Sequence, residues 1–306
     1  MSQEAQLAPR AWDTPRPLLP ELALIAATIA YGATFKIVQN ALDDVTPLGF
    51  ILLRFSVGAI VLLPFAMRRG YRREGVSDAP WRAFVVATIA FGAVGFAGYW
   101  MQNLGLERTS TSNSAFITGL FVVFTPLVEV AVTRRRPAPN VVLAVAVSVL
   151  GLFLLEGGTF RLGAGDAFTL GCAFMFAVWI FLGSIFSQRF DPVALTAGQL
   201  LVLAALAVPG TIIGGLGTIT ADVVLAVLVT GIACSALAFS LQLWGQRWVE
   251  PSRAAVILQF EPVVAGVVGF FVGERLGVAG YIGALVILAG IVIAESASWR
   301  HRAAAS

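Results

Sequence analysis

Residues 47–64, PLGFILLRFSVGAIVLLP, recur 145 positions later as residues 192–209, PVALTAGQLLVLAALAVP, with Pro47, Arg54 and Pro64 meeting Pro192, Gln199 and Pro209. Further along, the spacing shortens to 136–139. There Phe124-Thr125-Pro126 meets Phe260-Glu261-Pro262, and Gly151 with Glu156 meets Gly290 with Glu295. Each matched block lies in an apolar run, and a repeat at such a period means two copies of one structural unit.

Ten such runs mark the chain, at approximately 21–41, 47–67, 82–104, 112–133, 139–156, 166–187, 192–214, 222–245, 252–273 and 278–298. Each is bounded by charge, proline or glycine. Each reaches across ~30 Å of hydrocarbon at ~1.5 Å per helical residue. Composition agrees: 58% of residues are hydrophobic, 12% are charged, and mean hydropathy is +0.87. A soluble domain carries about 25% charge, so the expected fold is all-α and integral to the membrane, with ten transmembrane helices. Five spans per half is an odd number, which sets the two five-helix repeats in opposite topologies. Inverted repeats of this kind place their site near the midplane. The expected division is a tail at 1–20, a first repeat at 21–156, a second at 157–298 and a tail at 299–306.

Loop charge orients the chain. With both termini cytoplasmic, 15 arginines fall inside, among them Arg10, Arg16, Arg68, Arg69, Arg72, Arg73 and Arg134–Arg136. Only Arg108, Arg161 and Arg275 fall outside. Short basic loops stay cytoplasmic, and Trp81, Trp248 and Trp299 sit where an interfacial belt requires them. The first apolar run is too long for a cleaved signal, so the expectation is a multi-pass protein of the inner membrane.

Several function classes drop out. The lone lysine, Lys36, lies in the first span, so there is no glycine–lysine phosphate loop for an ATP-driven pump. The single histidine, His301, is in the tail, and Cys172 and Cys234 have no histidine partners. No metal, cofactor, disulfide or catalytic group is therefore expected. The arginines form no continuous face for nucleic acid. A channel would want a polar lining through both halves, and the second half is the poorer in such residues. Channel and membrane scaffold stand as the alternatives of another class.

Four ionisable residues lie within spans: Lys36, Arg54, Glu129 and Glu261. Such residues cost at least ~2.5–3.5 kcal/mol at the bilayer centre and normally face a partner or a wet cavity. Lys36 and Arg54 read at similar depths, as two walls of a vestibule for a carboxylate; snorkelling to the interface is the other reading. Glu261 precedes Pro262, which frees a carbonyl and bends the helix. That pair reads as a gate or proton-coupling site, or else as a structural partner of Arg253. Glu129, a turn from Arg134–Arg136, reads as their local ion partner. Polar and aromatic residues also align at helical spacing: Tyr31, Phe35 and Lys36 on the first span, Tyr99, Gln102 and Asn103 on the third, and Ser114 and Thr118 on the fourth. With Trp179 on the sixth they make the candidate substrate-binding set; helix–helix packing is the competing role for such residues.

The segment Tyr31-Gly-Ala-Thr-Phe-Lys36 is joined in order by Pro47…Arg54, Phe121-Val-Val-Phe-Thr-Pro126 and Glu261-Pro262…Gly273-Glu274-Arg275-Leu276. Over residues 21–296 the chain resembles an EamA-type member of the drug/metabolite transporter superfamily, with Tyr31 where a tryptophan is common. The resemblance implies a ten-helix exporter or permease of small metabolites, often amino acids. The expected function is secondary active transport of amino acids or related carboxylate-bearing compounds by alternating access, with the proton as a candidate coupling ion. Export of lipophilic cationic drugs is the alternative, to be expected if Glu261 rather than Lys36 faces the cavity.

Overall fold

A computed structural model of the chain describes residues 18–73, 80–106, 108, 111–157, 165–271, 273 and 277–305, without the side chains of residues 35, 106, 111–113 and 297–305. Arg10, Arg16, Arg161, the run Glu274-Arg275-Leu276 and the side chains of Phe35, Trp299 and His301 lie outside the described residues. Among the described residues, thirteen α-helices and one π-helical segment make ten crossings. Six are single helices: α1 (Leu19–Ala41), α2 (Pro47–Arg69), α3 (Trp81–Leu106), α7 (Asp166–Phe186), α8 (Pro192–Gly214) and α13 (Val278–Ala305). A seventh, α6 (Pro139–Leu155), is a shorter apolar helix, at the lower limit for a span.

The other three crossings are interrupted. The fourth is α4 (Thr111–Gly119) and α5 (Phe121–Thr133). The eighth is α9 (Ala221–Val229), a π segment (Thr230–Ala238) and α10 (Phe239–Gln246). The ninth is α11 (Pro251–Leu258) and α12 (Phe260–Phe271). The breaks at Leu120 and Gln259 lie six and three residues before Pro126 and Pro262, the two prolines of the repeated motif. Within the membrane a broken helix must find partners in protein. Here the break in the fourth span is bridged locally, Val123 N–H donating to the Leu120 carbonyl, and from the break in the ninth span the Gln259 side-chain amide donates to the Gly119 carbonyl.

Opposite topology of the halves is visible in matched contacts. The second and seventh spans lie antiparallel, and each begins with a capped proline. Thr46 Oγ1 accepts from Gly49 N, and Asp191 accepts from Val193 N and Ala194 N. Each ends on a glycine of nearly the same conformation, Gly70 at φ 75°, ψ 173° and Gly215 at φ 77°, ψ 170°. At one end Val45 bridges Gly217, and at the other Arg72 bridges Phe190. The two bridges interchange under the 145-residue shift. Thr46 N–H donates to Leu216 O at 3.0 Å, and Asp191 N–H to Tyr71 O at 3.1 Å, latching both ends.

The fifth and tenth spans cross just as symmetrically. A Cβ on Gly151 would stand 2.7 Å from Ile287 N and 2.9 Å from Gly283 O. One on Gly290 would stand 3.4 Å from Ser148 N and 3.2 Å from Ala144 O, the positions equivalent under a shift of 139. Small residues let membrane helices approach to backbone contact. Outside this packed interior, Ile60, Val86, Ile213, Phe271 and Leu285 are exposed, as suits lipid and not water.

Gly151→Leu places a branched side chain against backbone atoms that cannot move aside. It is expected to destabilise the protein by about 1–3 kcal/mol, lowering the thermal midpoint in detergent. Leu150→Ala, on the exposed side of the same helix, is expected to leave that midpoint nearly unchanged.

Candidate functional site

The three interrupted crossings meet the first three spans in the middle of the bundle. At the break in the ninth span stands Glu261, half-buried. Tyr31, Arg54, Tyr99 and Cys234 all lie within electrostatic reach of it. Arg54 Nε–H donates to Ser235 Oγ at 2.9 Å, and its guanidinium carbon lies 5.3 Å from the Phe55 ring centroid. Ser235 in turn donates to the Thr230 carbonyl five residues back, the spacing that the π segment creates. Such wide turns occur often at functional sites.

No ion pair joins Arg54 to Glu261, and Glu261 makes no hydrogen bond among the described residues. An arginine and a carboxyl group are thus held near one another in a low-dielectric interior without pairing. Around them is an aromatic wall. Tyr31 packs on Phe239 at 5.7 Å and donates from its hydroxyl to Gln242 Oε1 at 2.8 Å. Phe55 packs on Tyr99 at 5.4 Å and Tyr99 on Phe176 at 5.2 Å. Trp179 packs on Phe239 at 5.3 Å. Rings of this kind offer apolar faces, and the positive charge of a ligand is attracted to them.

Burial differs towards the two ends of the bundle. Tyr31, Arg54, Tyr99, Gln102 and Glu261 are half-buried. Towards the arginine-rich end, Phe91, Trp179, Gln199, Leu243 and Gln246 are buried as a layer, with Phe91 stacked on Trp179 at 5.3 Å. That end is also tied shut by polar contacts. Glu129 Oε2 accepts from both the N–H and the hydroxyl of Ser252, capping α11 from across the bundle. Arg253 bonds Glu295 and lies 3.4 Å from Glu21, joining the first, ninth and tenth spans. Arg253 is therefore engaged with these two carboxylates, while Glu261 looks to Arg54.

Of the residues singled out from sequence, Tyr31, Arg54, Tyr99, Trp179 and Glu261 come together, with Pro262 at the break. Lys36 does not join them: its Nζ donates to Gln39 Oε1 at 3.0 Å in an exposed position, five residues towards the open end. Gln102 and Asn103 lie one turn beyond Tyr99 in the same direction, and the Asn103 amide nitrogen is buried without a partner. Ser114 is buried, and Thr118 stands against Cys172. The side chain of Phe35 is outside the described set. Sequence reading passed over Phe55, Phe176, Phe239, Ser235 and Gln242. The regular spacing of Ser235, Gln242 and Gln246 along one apolar run was the available signal; the π segment that aims Ser235 had none.

The model of the EamA-like transporter family matches residues 18–156 and again 163–295. The chain belongs to the EamA-like transporter family. An Archaeoglobus fulgidus protein named as an uncharacterized transporter is 29% identical over 278 residues, spanning 90% of this chain and 85% of that one. An uncharacterized transporter of Bacillus subtilis, YyaM, is 24% identical over 291 residues, with 90% and 92% covered. A solved crystal structure superposes with a TM-score of 0.77 at 20% identity over 92% of this EamA-like chain and 98% of its own, which speaks for the fold alone.

Removing one partner of a buried ion network leaves the others uncompensated, at a cost of about 3–5 kcal/mol. Arg253→Met is expected to lose that much stability in a detergent melt. Adding Glu295→Met and Glu21→Gln to it is expected to restore most of the loss.

Proposed function

We propose that this EamA-like transporter carries small carboxylate-bearing metabolites, amino acids above all, by alternating access, as a permease or exporter of the inner membrane. The observation that carries the reading is the open Arg54–Glu261 arrangement within an aromatic wall. A zwitterion fits it: the carboxylate goes to the two terminal nitrogens of Arg54, which make no hydrogen bond among the described residues. The ammonium goes towards Glu261, and an apolar side chain lies on Tyr99, Phe176, Phe239 or Trp179. Arginine presents its donors in a fork that matches a carboxylate. Lys36, with Gln102 and Asn103, lines the approach and draws anions towards the site.

Glu261 is the coupling group in this reading. Its carboxylate sits at a helix break beside a proline, where a proton and an ammonium compete for the same oxygens. The positive-inside rule assigns the arginine-rich end and both termini to the cytoplasm, so the accessible side faces outward. Because Glu261 does reach the site, lipophilic cations are a second reading. A pure cation leaves Arg54 uncompensated inside the membrane, which weighs against it.

In proteoliposomes with a labelled amino-acid panel, counterflow is expected for at least one neutral amino acid. Arg54→Ala is expected to reduce flux by tenfold or more, and Lys36→Ala to reduce it less, mainly at low substrate concentration. Glu261→Gln is expected to abolish the response to an imposed pH gradient. Movement of a lipophilic cation with no amino acid would reject the substrate class, and an unchanged pH response would remove Glu261 as the coupling group.

A further inference from the structure

Gln199 is the repeat partner of Arg54, and the backbone contacts around the two residues match. A Cβ on Gly231 would stand 2.9 Å from Val57 Cβ and 3.0 Å from Arg54 O. One on Gly92 would stand 2.6 Å from Val202 Cβ and 3.1 Å from Gln199 O. Val57 and Val202 are separated by the same 145 residues as Arg54 and Gln199. Each side chain therefore leaves its helix from the same local framework, towards opposite ends of the bundle.

Their surroundings differ in the conformation described. Arg54 is half-buried at the accessible site. Gln199 is fully buried in the closed layer. Its Oε1 accepts from Trp179 Nε1 at 3.0 Å, which orients the amide and leaves Nε2 as a donor with no partner. Gln246 Nε2 is a second buried donor without a partner. It borders Gly183, one turn from Trp179 on α7, with the edge of Phe91 between them. Unsatisfied buried donors carry a desolvation cost, and two in one layer under the site point to a ligand that this layer meets in another state.

We infer that Gln199, supported by Gln246, is the substrate-carboxylate contact in the conformation open to the arginine-rich end, taking there the place that Arg54 holds at the opposite face. The inference rests on the transport reading above and adds an asymmetry to it. A charge-assisted hydrogen bond is roughly twice as strong as a neutral one, so the amide holds a carboxylate more weakly than the guanidinium does. Apparent affinity at the arginine-rich face is lower than at the Arg54 face, by about tenfold on the usual difference between such bonds.

The test has two arms. In oriented membrane vesicles, Gln199→Cys and Arg54→Cys are exposed to a membrane-impermeant thiol reagent, with the parent protein giving the background from Cys172 and Cys234. Gln199→Cys is expected to react above background only from the face where the termini lie, and Arg54→Cys only from the other. Background labelling of Gln199→Cys from both faces, or labelling from the Arg54 side, overturns the inference. In the second arm, half-saturation is measured separately at each face of proteoliposomes. Gln199→Leu is expected to raise it about tenfold at the arginine-rich face and to leave it within about twofold at the other, and Gln199→Arg is expected to lower it at the arginine-rich face. An equal change at both faces assigns Gln199 a packing role and overturns the inference. If the parent moves no carboxylate-bearing compound, the substrate class fails by itself, because the labelling arm does not depend on it; labelling then decides whether Gln199 meets an aqueous path.

Discussion

Two membrane helices are broken in the interior, where a freed backbone group needs a partner within the protein. The Gln259 amide reaching the Gly119 carbonyl answers that constraint by joining the fourth span to the ninth. Much of the interior follows from it. A break frees backbone, permits Pro262 in the first turn of α12 in mid-span, and puts the carboxylate of Glu261 where an unbroken apolar helix would carry an aliphatic residue. The π segment does comparable work in the eighth span, turning Ser235 towards Arg54.

The same physics explains why the site is half-finished. A buried arginine and a buried carboxylate would ordinarily pair, since each alone is costly in hydrocarbon. Here Arg54 is braced by Ser235 and Phe55, and no ion pair joins it to Glu261 among the described residues. At the arginine-rich end the reverse holds: Arg253, Glu295 and Glu21 close into a network that locks three spans together. One charge cluster closes on itself and ties helices together, and the other stays unpaired among the described residues. The two differ in packing and not in residue type.

That difference also marks what the sequence could reveal. Span lengths and the repeat, with its matched prolines at 47 and 192, were legible because each depends on local residue chemistry. Tyr31, Arg54, Tyr99 and Glu261 were legible because polar groups are rare in an apolar chain. Lys36 looked equivalent to Arg54, yet two positively charged side chains at similar depth took different surroundings, one at an exposed rim and one against Ser235. Phe55, Phe176 and Phe239 were hidden by the many phenylalanines that simply pack or face lipid. The breaks at Leu120 and Gln259 were signalled by nearby prolines but not located by them, since Pro126 lies six residues past its break and Pro262 three.

The central claim is that opposed charges within an aromatic wall recognise a zwitterion. Equilibrium binding to the purified protein of one neutral amino acid, its decarboxylated amine and its deaminated acid addresses that claim most directly. The account predicts that the amino acid binds and that each analogue binds at least about tenfold more weakly, since each leaves one charge of the site uncompensated. An amine that binds as tightly as the amino acid would contradict it.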